Sequence, residues 1–172
     1  MAFAGKYLLM SHESANTLEI FDPTLRRVVA QVVNLSQPRG IAVDDQAGRV
    51  YIANAGNNTI TEISTDGWKV LRSIAVPQSP DTLLFVPQRS MLYAGNWHDR
   101  SLTAINLKGG AVSTLPLNGI PQGMVYDPAD DLVFVSLQAD SSIAAVNNAN
   151  VVSKRFAING PQPSGIAFNT TE

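Results

Sequence analysis

Short apolar runs alternate with clusters of glycine, asparagine, aspartate and proline along almost the whole chain. Between residues 38 and 76 the apolar runs are Gly40–Val43, Val50–Asn54, Thr59–Ser64 and Lys69–Val76. The clusters between them favour tight turns, because glycine and asparagine tolerate positive φ angles. No stretch keeps a helical spacing of apolar residues over several turns. The pattern therefore predicts consecutive short antiparallel strands joined by turns.

The same pattern of four strands recurs along the chain with a nearly constant period. A proline opens each unit, and the spacings between successive prolines are 42, 41 and 42 residues. These prolines are Pro38, Pro80, Pro121 and Pro163. A second marker keeps the same register, since Tyr51 aligns with Tyr93 and Asn54 aligns with Asn96. A four-stranded repeat of this length has the size of one β-propeller blade, so we predict an all-β propeller of four blades.

The first predicted blade is assembled from both ends of the chain. The blades comprise residues 6–36 together with 163–169, then 37–77, 78–118 and 119–160. Residues 6–36 hold three apolar runs and lack the inner strand that should precede them, whereas residues 163–169 have the pattern of an inner strand. We therefore expect the C-terminal strand to complete the first blade, because closure removes the open edge of a sheet.

Three assemblies are compatible with this arrangement of strands. One chain could close its own four-bladed ring as a monomer. Two chains could instead exchange their C-terminal strands and form an eight-bladed ring as a homodimer with two-fold symmetry. The third possibility is that the chain is part of a longer propeller.

Several units resemble the YVTN family of β-propeller repeats. Tyr51-Ile52-Ala53-Asn54 and Leu18-Glu19-Ile20-Phe21-Asp22 match two strand motifs of that family, and Tyr93-Ala94-Gly95-Asn96 matches less closely. Phe134-Val135-Ser136-Leu137, in the last unit, departs most from the pattern. The resemblance implies a propeller, usually of about seven blades, and a periplasmic or secreted location. It implies no particular reaction, since one fold hosts many functions.

Composition narrows the possible partners and chemistry. The 172 residues carry a net charge of −2 without any basic run, so we expect no nucleic-acid partner. The absence of cysteine excludes disulfides, thiolate catalysis and cysteine-based metal sites. The sequence has no apolar run long enough to span a membrane and no signal-peptide pattern at its start. Without the family resemblance, the sequence would indicate a cytoplasmic protein.

A ligand is expected at the mouth of the central channel. In a propeller, the loops that lead into the inner strands share one face with the loops between the second and third strands, and ligands bind where they converge. The residues predicted to surround this mouth are His12, Arg39, Asn54, Asp81, Asn96, Trp97, His98, Asp99 and Gln122. Trp97 offers a flat aromatic surface, and His98 and Asp99 offer hydrogen-bonding groups. The structural alternatives are that Trp97 caps the core and that Arg39 pairs with Asp81.

No recognisable set of catalytic motifs is present. The sequence has no nucleophile elbow, phosphate-binding loop or dinucleotide fingerprint. We therefore predict a non-catalytic scaffold that binds a small molecule or a protein at the mouth, without a cofactor. The alternative is a metal-dependent hydrolase similar to the lactonase-type propellers, whose metal is held by Glu, Asn and Asp. Its ligands here would come from Glu13, Asn54, Asp81 and Asn96.

Overall fold

Short strands and turns make up the computed structural model, which describes residues 1–160 and 162–167. Within those ranges, 16 strands form four antiparallel sheets of four strands each, so the predicted all-β class and the four-blade organisation are confirmed. In every sheet the strands pair with their neighbours in chain order. None of the helical segments in the described part is long and apolar enough to cross a membrane.

Each blade has the same order of strands, from the inner edge to the outer edge. The first blade comprises β1 (Ala2–Ala4), β2 (Tyr7–His12), β3 (Thr17–Asp22) and β4 (Arg27–Val32). The second comprises β5 (Pro38–Asp44), β6 (Arg49–Asn54), β7 (Thr59–Ser64) and β8 (Val70–Ala75). The third comprises β9 (Pro80–Val86), β10 (Met91–Asn96), β11 (Ser101–Asn106) and β12 (Val112–Pro116). The fourth comprises β13 (Pro121–Asp127), β14 (Leu132–Leu137), β15 (Ser142–Val146) and β16 (Val152–Ala157). Single 3-10 turns span Pro87–Arg89 and Gln138–Asp140.

The strand register repeats from blade to blade, as the spacing of the prolines predicts. Pro38 lies opposite Asn54, and Pro80 lies opposite Asn96. A register shift follows each of these prolines in its own blade, at the mouth end of the inner strand. The marker residues of the sequence repeat therefore occupy equivalent three-dimensional positions.

The core consists of three apolar clusters, each lying between two successive blades. Alternate residues of a strand point to opposite faces of its sheet, so the second and third blades each contribute to two clusters. Leu9, Leu18 and Ile20 of the first blade pack with Val50, Ile52 and Ile63 of the second. Tyr51 and Ile60 then pack with Leu92 and Ile105, and Tyr93 and Leu102 pack with Val133 and Val135. Burial of each such side chain contributes about 1.5–3 kcal/mol.

Neighbouring inner strands approach each other closely along the channel. A Cβ atom on Gly40 would lie 2.3 Å from the carbonyl oxygen of Asp81 and 3.0 Å from the backbone nitrogen of Leu83. A Cβ atom on Gly123 would lie 3.1 Å from the backbone nitrogen of Ile166. The absence of a side chain at Gly40 therefore makes room for the backbone of β9, whereas a Cβ atom at Gly123 would need only a small shift of the segment containing Ile166. The segment containing Ile166 lies beside β13, as the inner strand of a following blade would.

The first blade differs from the sequence prediction. Its inner position is occupied by Ala2–Ala4, which pairs with residues 7–9 of β2. Gly5, at φ 53°, allows the chain to reverse immediately after this strand, and closing such a short loop costs far less entropy than closing one of the whole chain length. Residues 162–167 form no strand, and residues 168 and 169 of the predicted closing strand lie outside the described residues.

The four blades form an arc in which β1, β5, β9 and β13 are successive neighbours. Within residues 1–160 and 162–167, no apolar cluster joins the fourth blade to the first. Closure of a four-bladed ring by one chain is therefore not observed.

Candidate functional site

The two sets of loops predicted to form the mouth lie beside each other. The backbone N–H of Ala55 donates to the carbonyl of Gln37 at 3.2 Å, and that of Trp97 donates to the carbonyl of Ser79 at 2.9 Å. The N–H of Gln138 donates to the carbonyl of Ile120 at 2.9 Å. In three blades, therefore, the loop after the second strand is bonded to the loop that leads into the inner strand.

A network of charges joins the first three blades at this mouth. The Arg39 guanidinium donates to Glu13 Oε1 at 2.9 Å and to Asp81 Oδ1 at 3.3 Å. Partial burial disfavours the charged guanidinium, but the two carboxylates outweigh this effect and raise the pKa of Arg39. The predicted pair of Arg39 and Asp81 is present, and Glu13 is an additional partner. Two carboxylates and one guanidinium leave this group with a net negative charge.

The aromatic part of the mouth consists of Trp97 and His98. Their rings meet edge to face, with centroids 4.9 Å apart and planes at 72°. Trp97 is half-buried and His98 is exposed. Among the described residues Trp97 belongs to none of the three apolar clusters, whereas Trp68 packs against the cluster between the first two blades. Trp97 is therefore a surface aromatic residue beside the loop that leads to Asp81.

Asp99 is engaged with the backbone of a neighbouring loop. Its Oδ2 accepts the N–H of Gln78 at 2.8 Å. In the second blade the equivalent N–H, that of Ser36, donates to the side-chain oxygen of Asn54 at 3.2 Å. Asp99 thus takes over an interaction that asparagine makes in the preceding unit, and the Oδ1 atom of Asn96 is left buried without a hydrogen-bond partner.

The two predicted asparagines lie inside the sheets and do not line the mouth. Asn54 and Asn96 are fully buried, and their amide groups donate to Thr61 and Thr103 across the blade, each at 2.8 Å. Both positions end a second strand whose side chains point into the packed space between blades, which places the amide groups beneath the turns. These side chains stabilise the turns by hydrogen bonding, because a side-chain amide has both donor and acceptor groups.

His12 also differs from the expected arrangement. Its Nε2 atom lies 3.1 Å from Glu19 Oε2, within the first blade. His12 shares a sheet face with Glu19 and Met10, because Met10 and Glu19 are directly paired and His12 lies two residues farther along β2. This is the face that points away from the second blade. His12 therefore does not join the charges around Arg39.

Gln122, in the fourth blade, is the first of three glutamine side chains joined by successive hydrogen bonds. Its Nε2 atom donates to Gln138 Oε1 at 2.9 Å, and Gln138 in turn donates to Gln162 Oε1 at 3.5 Å. A cavity of about 410 Å³ adjoins these amides, and its lining consists of Ile120, Gln138, Ala139, Ser141 and Gln162. The sequence predicts Gln122 at the mouth but not Gln138 or Gln162, because those two residues lack any repeated motif.

The residues present do not fit a bound metal ion. Glu13 and Asp81 are both paired with Arg39, and the proposed asparagine ligands are buried beneath the turns. Calcium and similar ions need several oxygen ligands free to converge on one point. In the described part of the chain, no group of three or more His, Cys, Asp or Glu residues is arranged to hold a metal.

A second polar cluster, which the sequence does not predict, lies at the end of the channel opposite the mouth. Arg89 Nε donates to Asp131 Oδ1 at 2.7 Å, and Arg89 Nη1 donates to the Tyr93 hydroxyl at 2.8 Å. Nη2 donates to the carbonyl of Asp131. The Tyr126 hydroxyl donates to Asp131 Oδ1 at 2.8 Å, and the guanidinium lies 5.5 Å from the centre of that ring. The cluster connects the third blade to the fourth.

Comparisons with known proteins support the propeller fold. The sequence model of the NHL repeat, a β-propeller-type repeat, matches residues 35–62. No curated protein sequence matches the chain. The YVTN assignment therefore stays a resemblance.

Solved structures with a similar backbone include enzymes. A hydrazine synthase of Kuenenia stuttgartiensis aligns with a TM-score of 0.82 at 16% identity, over 90% of this chain and 47% of its own. A catalytically inactive virginiamycin B lyase of Staphylococcus aureus, solved with quinupristin, aligns at 0.82 and 15% identity over 95% and 57%. A functionally unknown protein of Desulfotomaculum acetoxidans aligns at 0.81 and 13% identity over 92% and 54%. The chain spans about half the length of these proteins, and the likeness shows that it has a propeller-like fold.

Proposed function

We propose that the chain is a non-catalytic propeller scaffold whose mouth binds a positively charged group of a small molecule or a protein. The observation that carries this proposal is the position of Trp97, half-exposed on the mouth and outside the apolar clusters. A tryptophan placed there contributes little to the core, and it presents an aromatic face on which a cation can rest.

The charges around the mouth favour a cation over an anion. The group formed by Glu13, Arg39 and Asp81 is net negative, because one guanidinium faces two carboxylates. Asp81 lies two residues after Ser79, whose carbonyl accepts the N–H of Trp97. An aromatic face and excess negative charge are therefore present on the same side of the scaffold. Lysine, arginine or quaternary ammonium groups are the ligand chemistry that this combination recognises.

A labelling experiment with probes of different charge tests the site. Protein carrying 5-fluorotryptophan contains two labelled residues, Trp68 and Trp97, and Trp97→Phe assigns their two fluorine signals. Short lysine-rich, glutamate-rich and neutral peptides and free choline serve as probes. We expect the lysine-rich peptide or choline to shift the Trp97 signal, while Trp68, packed on Tyr7 with ring centroids 5.6 Å apart, stays unchanged.

Two further results test whether the site prefers a cation and whether Trp97 belongs to the surface. If the glutamate-rich peptide alone shifts Trp97, or if no probe does, the proposal of a cation site is wrong. Trp97→Ala should abolish the response and leave the thermal unfolding midpoint close to that of the wild type. A loss of several kcal/mol of stability would instead place Trp97 in the core, since truncation of a buried tryptophan costs about 3–5 kcal/mol.

The metal-dependent hydrolase predicted as an alternative receives no support from the donor groups. Arg39 is already paired with both carboxylates that such a site would use, and the asparagine side chains are buried. We therefore do not propose a hydrolytic role for these residues.

We also propose that the working mouth belongs to a ring of more than four blades. Two observations support this proposal. The fourth blade shares no apolar cluster with the first among the described residues. The similar solved structures are about twice the length of this chain. In a larger ring, other blades would face Trp97 and Arg39 across the channel.

A further inference from the structure

We propose that two copies of this chain join head to tail into one eight-bladed ring. In this assembly the front face of the fourth blade of each copy packs on the back face of the first blade of the other. The front face comprises Val125, Phe134, Ile143, Lys154 and Phe156. The back face comprises Phe3, Leu8, Met10, Glu19, Phe21 and Val28. The inference does not depend on what the mouth binds.

The sequence repeat shows that these two faces are built as interfaces between blades. Phe21 occupies the position of Ile63, Ile105 and Val146 in the other blades, and all three of those residues are fully buried. Phe21 is only half-buried. The repeat therefore supplies apolar side chains at the end faces, and within the described residues no neighbouring blade buries them as it buries their equivalents.

The front face of the fourth blade also exposes apolar residues whose equivalents in the other blades are buried. Ile143 occupies the position of Leu18, Ile60 and Leu102, which are 0% exposed. Ile143 itself is half-buried, and Phe156 beside it is 37% exposed. Exposed apolar surface that continues the pattern of three buried interfaces is characteristic of a surface meant to be covered.

The inner edge of the first blade indicates which partner covers it. β1 has three residues, whereas β5, β9 and β13 have seven each. β1 pairs only with residues 7–9, so residues 10–12 of β2 have no inner neighbour among the described residues. In the second blade the equivalent stretch is paired with Pro38 and Ile41. Among the described residues, no segment equivalent to residues 38–41 is therefore paired with β2.

The chain itself supplies that segment at its other end. Residues 163–166 are equivalent to residues 38–41, and Ile166 lies beside Gly123 as Leu83 lies beside Gly40. This is the inner position of a blade that follows the fourth one around the ring. If that blade is the first blade of a second copy, residues 163–166 lie along the free edge of its β2, and Ala2–Ala4 does not need to move.

Opposite charges favour a head-to-tail contact over a contact between two identical faces. The back face carries Glu19 and the front face carries Lys154. Two front faces would oppose two lysines, and two back faces would oppose two glutamates. A heterologous contact that closes after two copies leaves no free edge, which is how propellers avoid aggregation.

Light scattering after gel filtration tests the assembly, with one substitution in each face. Phe3→Glu changes the back face at a residue 62% exposed, and Phe156→Glu changes the front face. The matched control is Leu71→Glu, at a residue 48% exposed on the second blade and away from both faces. Circular dichroism and thermal unfolding establish that each variant is folded.

We expect the wild type and Leu71→Glu to have twice the chain mass of 18.4 kDa, and each face variant to have the mass of one chain. A mixture of the two face variants should recover the doubled mass, because one unchanged front face can still meet one unchanged back face. A wild type of 18.4 kDa at all concentrations would overturn the proposal. A dimer that survives both Phe3→Glu and Phe156→Glu would also overturn it, as it would use another surface.

Discussion

Two arginines, one at each end of the channel, make similar contacts in different surroundings. Arg39, at the mouth, pairs with Glu13 and Asp81, and its side chain is 33% exposed. Arg89, at the opposite end, pairs with Asp131, and its side chain is 9% exposed. Both arginines connect neighbouring blades. Water reaches the Arg39 guanidinium, whereas the Arg89 guanidinium is largely shielded even though the Asp131 side chain is 43% exposed. The contacts of Arg89 should therefore contribute more to stability than those of Arg39.

The largest expected effect concerns the buried arginine. We expect Arg89→Met to lower the free energy of unfolding by about 2–4 kcal/mol, because the Tyr93 hydroxyl and the carbonyl of Asp131 lose a charged donor. Arg39→Met should cost less than about 1 kcal/mol, as is usual for exposed ion pairs. Urea unfolding of both variants measures the difference. Equal losses would show that burial does not separate the two arginines.

The second prediction concerns Tyr51, which is buried between the second and third blades and makes stability depend on pH in alkaline solution. Burial, with a smaller contribution from the nearby Glu62 carboxylate, raises the pKa of Tyr51 to about 12. Between pH about 10 and about 12 the unfolded tyrosine has lost its proton while the folded one keeps it, so stability falls as the pH rises.

The matched variant for this test is Tyr51→Phe, which has no phenolic proton. Across that interval we expect the wild type to lose roughly 2 kcal/mol more than the variant does. Unfolding free energies measured at several pH values give the two slopes. Parallel slopes would mean that the Tyr51 hydroxyl ionises as readily in the folded chain as in the unfolded chain.

A smaller difference is expected between the two buried asparagines. Asn54 accepts the N–H of Ser36 and donates to Thr61, whereas Asn96 donates to Thr103 and accepts nothing. Asn54→Ala should therefore be more destabilising than Asn96→Ala, by about 1 kcal/mol, the usual net contribution of one hydrogen bond.

The variant Asp99→Ala serves as the control for that pair. It frees the N–H of Gln78, which can then donate to Asn96 as the N–H of Ser36 donates to Asn54. In the Asp99→Ala background, Asn96→Ala should become as costly as Asn54→Ala is in the wild type. If the cost does not change, the loop around Asp99 is too rigid to move.

The sequence repeat predicts more of this structure than any single motif does. The period predicts four sheets, and the spacing of Pro38 from Asn54 predicts their register, because every blade must bury the same positions. The first blade is where the repeat and the structure differ. Residues 163–169 match the inner strand of the repeat better than Ala2–Ala4 does. Ala2–Ala4 nevertheless pairs with β2, because the short hairpin at Gly5 costs little loop-closure entropy.

The site is less predictable than the fold, because it depends on departures from the repeat. Residue type alone suggests that Asn54 and Asn96 are ligands, but their place at the end of a strand buries them. The partners of Arg39 come from two other blades, and Gln138, the partner of Gln122, comes from another loop of the same blade. Sequence spacing gives no distance between such residues. Arg89 lies in a turn without a repeated motif and is missed for the same reason.

The smallest expected effect is the response of the mouth to metal ions. In the wild type, Ca²⁺, Mn²⁺ or Zn²⁺ should leave the thermal unfolding midpoint unchanged, because Arg39 occupies the position between Glu13 and Asp81 where a cation would sit. Arg39→Gln removes that charge and leaves the two carboxylates facing each other, so this variant should show a small rise with Ca²⁺. Specific binding raises the midpoint by mass action. A rise in the wild type would mean that metal competes with the Arg39 guanidinium for these carboxylates, and the mouth would then be a metal site.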